Sequence, residues 1–387
     1  MTLVELFHSY ADLWVHFDSV EAFDYGGDSY LPRLDAFDAE AGRQHAAAFR
    51  SLAAATEELD LESLDAEMDR TILLGQIRTR LRRIERDRPE RTNPILWAHR
   101  LNQALQARPG DADTLARIPG WVRAARETLV KPPLFYLQVA LDLVADARAS
   151  LQTEYWWQAD KEALSQANGA LEAFDRFLRH EVEPDPEPMA GAMGADRVEW
   201  HLRNEFLLEL TSKDAARHVA NRVETLAGRA EAPPPASAPA PASSSPSAVK
   251  AVSEIRQRLL PPAWAAAWLR FSAALAPDPG VRAAAAGLNL RQARLGALDL
   301  AIQLGEISPV AAAAHLGSIG PDGPERMSSI GALLVAPLTE AATTLLIAEW
   351  ERLRGRFGGD DRSFLEAIQQ HGLLHPALAG WRLGLGG

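Results

Sequence analysis

The chain has 387 residues, of which 47% are hydrophobic, and its formal net charge is -12 at pH 7. Such a length and composition predict a globular protein with a large core or two lobes, and the negative charge disfavours nucleic acid and anionic membranes as partners. The sequence contains no cysteine, which excludes disulfides, thiol nucleophiles and zinc-thiolate sites. We predict no cofactor.

The expected location is the cytoplasm. The segment from Met1 to Glu5 shows no basic stretch followed by an apolar core, as a secretory signal would. The richest apolar run, around Gly331 to Val335, is short and is followed by Pro337 and Glu340. A membrane span needs about 20 apolar residues, so we expect no membrane partner.

Helical spacing of apolar residues dominates the first part of the chain. An opening helix that ends before the loop at 24–35 is indicated by Leu3, Leu6, Phe7, Tyr10 and Trp14. A second helix is predicted over about 38–57, and a third over about 60–85. The apolar stripe of the third helix consists of Leu64, Met68, Leu74, Ile77, Leu81 and Ile84.

The third helix ends in a basic run formed by Arg78, Arg80, Arg82, Arg83, Arg86 and Arg88. Glu85, Asp87 and Glu90 interleave with these arginines, and basic residues suit a helix C-terminus. We therefore interpret the run as a solvated face rather than a nucleic-acid site. Further along, Pro119 is expected inside or beside a kink, and Pro132 with Pro133 to end a helix.

One long helical pattern is predicted from Leu134 to about His180. Tyr155, Trp156 and Trp157 lie inside it, and adjacent helical positions point in different directions, so the three rings cannot all face the core. They either pack in the ordinary way or line a groove. Tyr155 and Trp156 are candidate binding residues on the second interpretation.

Two further helices are predicted before the middle of the chain. The first covers about 196–210. The second follows at once, with Thr211 and Asp214 as a capping-box variant and Gly228 as its stop.

The run APPPASAPAPASSSPSA at 232–248 predicts a disordered, extended linker, because proline lacks a backbone donor and the small side chains bury little. It divides the chain into a predicted N-terminal lobe (1–228), a linker (229–249) and a C-terminal lobe (250–387). Helices in the second lobe are predicted over about 249–275 with a break at Pro261, 280–304, a short one capped by Ser308, 341–357, 362–370 and 376–383. No strand pattern occurs, so the predicted fold class is all-α, with two helical lobes packed together.

Three groups of residues raise the question of a metal. Asp24, Asp28 and Asp35 match no calcium-loop spacing and are interpreted as solvated turn carboxylates. His371 and His375 stand four residues apart, but Gly372 and Pro376 indicate a helix end between and after them.

The third group is His201 with Glu205, also four residues apart, and Glu199 nearby. We expect an exposed, hydrogen-bonded pair, and the three are kept as candidate binding residues. We predict no metal site from any of these groups.

Several segments together resemble the helical bacterial zinc-peptidase-like family known as domain of unknown function 885. In the first lobe they are DTLARIPGWVRAARETLVKPP, ALEAFDRFLRHEVEP and AMGADRVEWHLRNEFLLELTSKDAARHVANRV. In the second they are WAAAWLRFSAAL, NLRQARLGALDLAIQLGEISPVAAAAHL and FLEAIQQHGLLHPAL. The resemblance implies a helical fold and covers most of the chain.

The same resemblance implies a His-Glu-x-x-Pro-Gly-His-His segment for metal binding and general-base catalysis, and that segment is missing. In family order it belongs between the helices of His218 and Trp268, where this chain has its Pro/Ala/Ser run. The acidic position of the family's Glu-Gly-Trp-Ala-x-Tyr stretch is Ala266. Its Arg-x-x-x-Asp-x-x-x-His pattern falls on Arg294, Leu298 and Ile302, with Asp299 one place out of register. A late tyrosine has no counterpart.

These departures lead to a hypothesis of a non-catalytic protein that binds a protein partner, a peptide or a small molecule. The alternative is a peptidase or amidase with a rearranged site, using Glu199, His201 and Glu205 or the two C-terminal histidines. A third hypothesis is a scaffold that forms a homo-oligomer.

Overall fold

The computed structural model describes residues 2–19, 22, 33–34, 39–156, 160–230, 259, 261–316, 324–371 and 375–385. In these ranges the chain is all-α, as predicted, and the extended pairing seen there is a single isolated bridge between Pro133 and Asp185. None of the helices in the described ranges combines the length and apolar character that crossing a bilayer requires.

The α-helices follow one another through both halves of the chain. They are α1 (Leu3–Phe17), α2 (Ala39–Glu57), α3 (Leu64–Arg82), α4 (Pro94–Ala107), α5 (Ala112–Thr128), α6 (Leu134–Ser150), α7 (Lys161–Arg176), α8 (Ala195–Asn204), α9 (Ser212–Ala230), α10 (Pro262–Ala274), α11 (Pro279–Leu304), α12 (Pro309–Leu316), α13 (Pro324–Val335), α14 (Thr339–Arg356), α15 (Asp361–His371) and α16 (Pro376–Arg382). Short π-helical turns extend α3 over Arg83–Asp87 and α7 over Phe177–Glu181.

The helices form two compact units whose limits differ from the predicted lobes. The first unit contains the described residues within 1–192, 308–317 and 321–335, and the second contains those within 193–307 and 336–387. Helices α8 and α9, predicted for the first lobe, thus belong to the second unit. Conversely, α12 and α13 return to the first unit, where α13 packs on α4 and α6. Residues 231–249 of the predicted linker lie outside the described residues, whereas 229–230 belong to α9.

The core of the first unit is built on α4 and α6, which pack along each other. Trp97 of α4 and Trp121 of α5 have ring centroids 4.6 Å apart, and both side chains are buried. The indole Nε1 of Trp97 donates to the Glu90 carbonyl at 2.8 Å, so the ring is fixed at its polar end as well.

The core of the second unit is built on α10, α11 and α14. Trp350 of α14 contacts Trp268 and Phe271 of α10, at centroid distances of 5.0 and 5.9 Å. Phe364 of α15 packs edge-on against Phe271 at 6.0 Å. These aromatic contacts fix the positions of the helices around the polar residues described below.

Several predicted helix limits were wrong. The pattern from Leu134 to His180 is not one helix, since α6 ends at Ser150 and a short 3-10 turn precedes α7. The helix predicted over 196–210 ends at Asn204, and Leu207 there has a φ of 53°. Gly228 does not stop α9, which continues to Ala230.

Other local predictions were confirmed. Thr211 caps α9, because its hydroxyl accepts from the Asp214 N–H at 3.1 Å. The Ser308 hydroxyl likewise accepts from the Ala311 N–H at 3.2 Å at the start of α12. At Pro119 the predicted kink stays a prediction, and α5 continues through this residue as one helix.

The basic run is not uniformly solvated. Arg80 is fully buried, and its guanidinium lies 4.6 Å from the centroid of the Trp14 ring. Arg78 pairs with Glu57 and Arg82 with Asp87, at 2.7 and 3.3 Å. The alternation of exposed and buried arginines follows from the helix, because α3 buries residues on the side that faces α1 and α2.

Candidate functional site

The two aromatic candidates separate in the structure. Both belong to the 3-10 turn Glu154–Trp156. Trp156 is only 1% exposed and is a core residue, whereas Tyr155 is 65% exposed. A short turn rather than a continuous helix therefore divides the aromatic residues between core and solvent.

His201 and Glu205 form the predicted pair at the end of α8. The His201 Nδ1 lies 2.9 Å from the Glu205 Oε2, as the spacing of four residues on a helix predicts. The prediction of an exposed pair was wrong, since the two residues are 3% and 7% exposed. The geometry is that of an imidazole held by a carboxylate within the second unit.

Glu199 has a structural role. Its Oε1 accepts from the Ser212 N–H at 2.8 Å and from the Ser212 hydroxyl at 2.9 Å. These hydrogen bonds lower the pKa of the Glu199 carboxyl. The side chain points to the first turn of α9 and joins it to α8, so it serves as a cap.

His375 lies close to the segment that follows this pair. Burial lowers the pKa of His375 to about 4, and the nearby backbone of Phe206 opposes the shift. The Ala377 N–H donates to Nδ1 at 3.3 Å, so the proton of the neutral ring is on Nε2, and the group that opposes the pKa shift by hydrogen bonding is the backbone of Phe206. The centroid of the Trp264 ring lies 4.8 Å from that of His375, and the buried Trp264 Nε1 has no hydrogen-bond partner among the described residues.

Asp299 is a carboxyl of the second unit with a strongly raised pKa. It is fully buried in α11, and burial raises its pKa to about 7. Its Oδ1 accepts from the Leu338 N–H at 3.0 Å, and its Oδ2 from the N–H groups of Glu340 and Ala341 at 3.1 and 3.2 Å. The residue that the family pattern places one position out of register therefore caps the N-terminus of α14.

No cluster of three or more potential metal-ligating side chains occurs among the residues that the structure describes. Asp24, Asp28 and Asp35 lie outside those residues. His371 is the last residue of α15. Ala266, at the acidic position of the family motif, lies within α10 and is partly buried.

A cavity in the first unit was missed by the sequence analysis. It has a volume of about 520 Å³ and lies between α5 and α7, which pack on each other. The apolar part of its lining consists of Pro119 and Val122 from α5 and Ala170, Ala173 and Phe177 from the other side. Alanines three positions apart share one helix face, and their small side chains keep the space between the helices open. We call this space the α5–α7 groove.

Three charged side chains of α5, Arg123, Arg126 and Glu127, line the same groove. Arg126 is anchored, because its Nη2 lies 2.8 Å from Glu181 Oε2 and its guanidinium lies 5.5 Å from the centroid of the Phe177 ring. Arg123 and Glu127 are exposed and have no ion pair or side-chain hydrogen bond within the described structure. The groove therefore has an apolar floor and, as far as the described part of the chain shows, one unpaired charge of each sign.

Comparisons with known proteins give a fold but no activity. No family model matches the chain, and neither does any curated protein. A solved putative lipoprotein of unknown function from Shewanella oneidensis is similar with a TM-score of 0.69 over 100% of both chains, at 11% sequence identity. The putative lipoprotein from Colwellia psychrerythraea gives a TM-score of 0.62 over 98% of both chains, at 10% identity. At such identities the likeness shows the fold alone.

Proposed function

We propose that this chain is a non-catalytic binding protein, related to the zinc-peptidase-like family that its sequence resembles, and that it holds a peptide or small molecule. The peptide would be free or presented by a protein partner or a second copy of the chain. The observation that carries the proposal is the α5–α7 groove, an open cavity of about 520 Å³ with an apolar floor and unpaired charges. Ligand cavities in proteins are commonly of this size, mostly apolar and equipped with few polar groups.

Two carboxylates that the sequence analysis considered support the same proposal in a different way. Glu199 is engaged by Ser212, and Asp299 by three backbone N–H groups of α14. Each carboxylate stabilises a helix start in the second unit, which is a structural use. The groove has polar groups with no such engagement.

A thermal-shift screen tests the proposal. We expect that compounds which raise the melting temperature of the wild-type protein fail to do so with Ala173→Trp, because the indole fills the space between α5 and α7. The control is Ala145→Trp, which puts the same side chain on an exposed position of α6, outside the groove. Compounds that stabilise Ala173→Trp as well as wild type would contradict a ligand site in the groove.

The location in the cytoplasm is part of this proposal. Both similar structures are of putative lipoproteins, so the competing expectation is a lipid-attached protein. Fractionation of the native cells, followed by detection of the chain in the cytoplasmic or the membrane fraction, decides between the two.

The alternative function is hydrolysis, which one observation favours. A histidine held by a carboxylate at 2.9 Å is an arrangement that general-base catalysis uses. This alternative predicts turnover of peptide or amide substrates that is lost in His201→Asn, while His218→Asn, which alters an exposed histidine of α9, retains it. Equal rates for the two variants, each with an unchanged melting temperature, would exclude the pair as the catalyst.

A further inference from the structure

We propose that the α5–α7 groove binds a zwitterionic ligand of dipeptide length, with Arg123 receiving its carboxylate and Glu127 its ammonium group. The inference rests on the proposed function, because it names the ligand class of the same groove. It follows from the charges of Arg123 and Glu127, from their spacing and from the apolar floor of the groove.

The charges of the groove favour a ligand that carries one group of each sign. Arg123 and Glu127 have opposite signs, and each faces the groove without a partner in the described structure. A guanidinium binds a carboxylate through two parallel N–H groups, and a carboxylate accepts from an ammonium group. A ligand that carries both ends pairs with each, whereas a purely anionic ligand would leave Glu127 opposed to its charge.

The third charged residue, Arg126, narrows the choice of the anionic group that the ligand carries. Arg126 is paired with Glu181 and lies against the Phe177 ring, so its charge is already neutralised. Among the residues that the structure describes, the groove thus offers one unpaired cation, Arg123, rather than two. One free cation suits a single carboxylate better than a phosphate dianion, which usually recruits several basic groups.

The spacing of Arg123 and Glu127 along α5 sets the length of the ligand. Arg123 and Glu127 are four residues apart on α5, a rise of about 6 Å along the helix axis. The ends of an extended dipeptide are about 7 Å apart, whereas the two charged groups of a single amino acid are attached to one carbon atom. The length of a dipeptide therefore matches the spacing of the two residues along the helix.

The apolar floor of the groove favours apolar ligand side chains, and the direction of α5 favours one orientation of the ligand. Val122, Ala170, Ala173 and Phe177 lie beneath the charged pair, and apolar side chains of the ligand would gain by burial there. Glu127 is in the last turn of α5, where the negative end of the helix dipole favours a cation. A ligand whose ammonium group lies at Glu127 and whose carboxylate lies at Arg123 is oriented favourably in the field of the helix dipole.

The test uses dileucine, N-acetyl-dileucine and dileucine amide as probes, with affinities measured by isothermal calorimetry on the full chain. Wild type should bind dileucine about tenfold more tightly than either blocked peptide, since each block removes one charge-assisted contact. Arg123→Gln should abolish the preference over the amide and keep the preference over the acetyl peptide. Glu127→Gln should do the reverse.

Matched controls are Arg86→Gln and Glu183→Gln, which remove the same charges at exposed positions outside the groove; both should bind like wild type. Equal affinity for the three peptides, absence of dileucine binding at millimolar concentration, or an equal loss in a control variant would each overturn the proposal. The Ala173→Trp screen remains a separate test. Hits that need the open groove but lack one of the two charges would refute the zwitterion and leave the binding function standing.

Discussion

Asp299→Ala should destabilise the protein by about 3–5 kcal/mol at pH 5, because it leaves three backbone N–H groups at the start of α14 without their acceptor. Leu338 and Ala341, which supply two of these groups, are fully buried, so water does not replace the carboxyl group there. Urea titration followed by circular dichroism measures the change.

The cost of this substitution should depend on pH. The pKa of Asp299 is about 7 in the folded chain and 3.8 in the unfolded one. Between these values the folded state binds the extra proton, so stability falls as the pH rises through this window, by up to ~4 kcal/mol. The alanine variant lacks this titration. The difference between wild type and Asp299→Ala should therefore be widest near pH 4–5 and narrow towards pH 8.

Two variants separate the hydrogen bonds from the titration. Asp278→Ala removes an exposed cap at the start of α11, where the carboxylate accepts from Gly280 and Val281, and should cost only about 1 kcal/mol. Asp299→Asn keeps one oxygen acceptor but does not ionise, so it should lose less than alanine at pH 5. A wild-type stability that exceeds that of Asp299→Asn by the same amount at pH 5 and pH 8 would show that the pKa of the carboxyl is not raised.

The fold class and most helices could be predicted because they depend on local patterns. The caps by Thr211 and Ser308 follow from residue types at fixed offsets from a helix start. The burial of Arg80 and the end of α8 at Asn204 could not be predicted in this way. Both depend on which helix covers a given face, and that information lies in distant parts of the chain.

The candidate site could be predicted only in part, because helical spacing gives contacts within one helix but not burial by other helices. Helical spacing predicts that His201 and Glu205 are adjacent, and their atoms lie 2.9 Å apart. Spacing does not say that the pair is buried. The sequence signal for the α5–α7 groove is weaker still. In the sequence Ala170 and Ala173 are ordinary helix formers, and only the structure shows that Pro119 and Val122 lie opposite them.

Gly296→Ala should destabilise the second unit by about 1–3 kcal/mol, although alanine is the better helix former. A Cβ at this position of α11 would clash with the Thr344 hydroxyl and lie 2.8 Å from the Glu340 carbonyl oxygen of α14. Neither atom can move freely. The Thr344 hydroxyl donates to the Glu340 carbonyl at 2.9 Å, and the Gln292 Nε2 donates to the same carbonyl at 3.2 Å.

The matched control is Gly287→Ala on the same helix. A Cβ there meets no atom within 4 Å, and the residue is exposed, so this variant should gain about 0.5–1 kcal/mol from the helix propensity of alanine. The two identical substitutions should thus shift the melting temperature in opposite directions. If Gly296→Ala were as stable as Gly287→Ala, α11 and α14 would have to be further apart than their polar contacts indicate, and the cap that Asp299 provides would be lost with that separation.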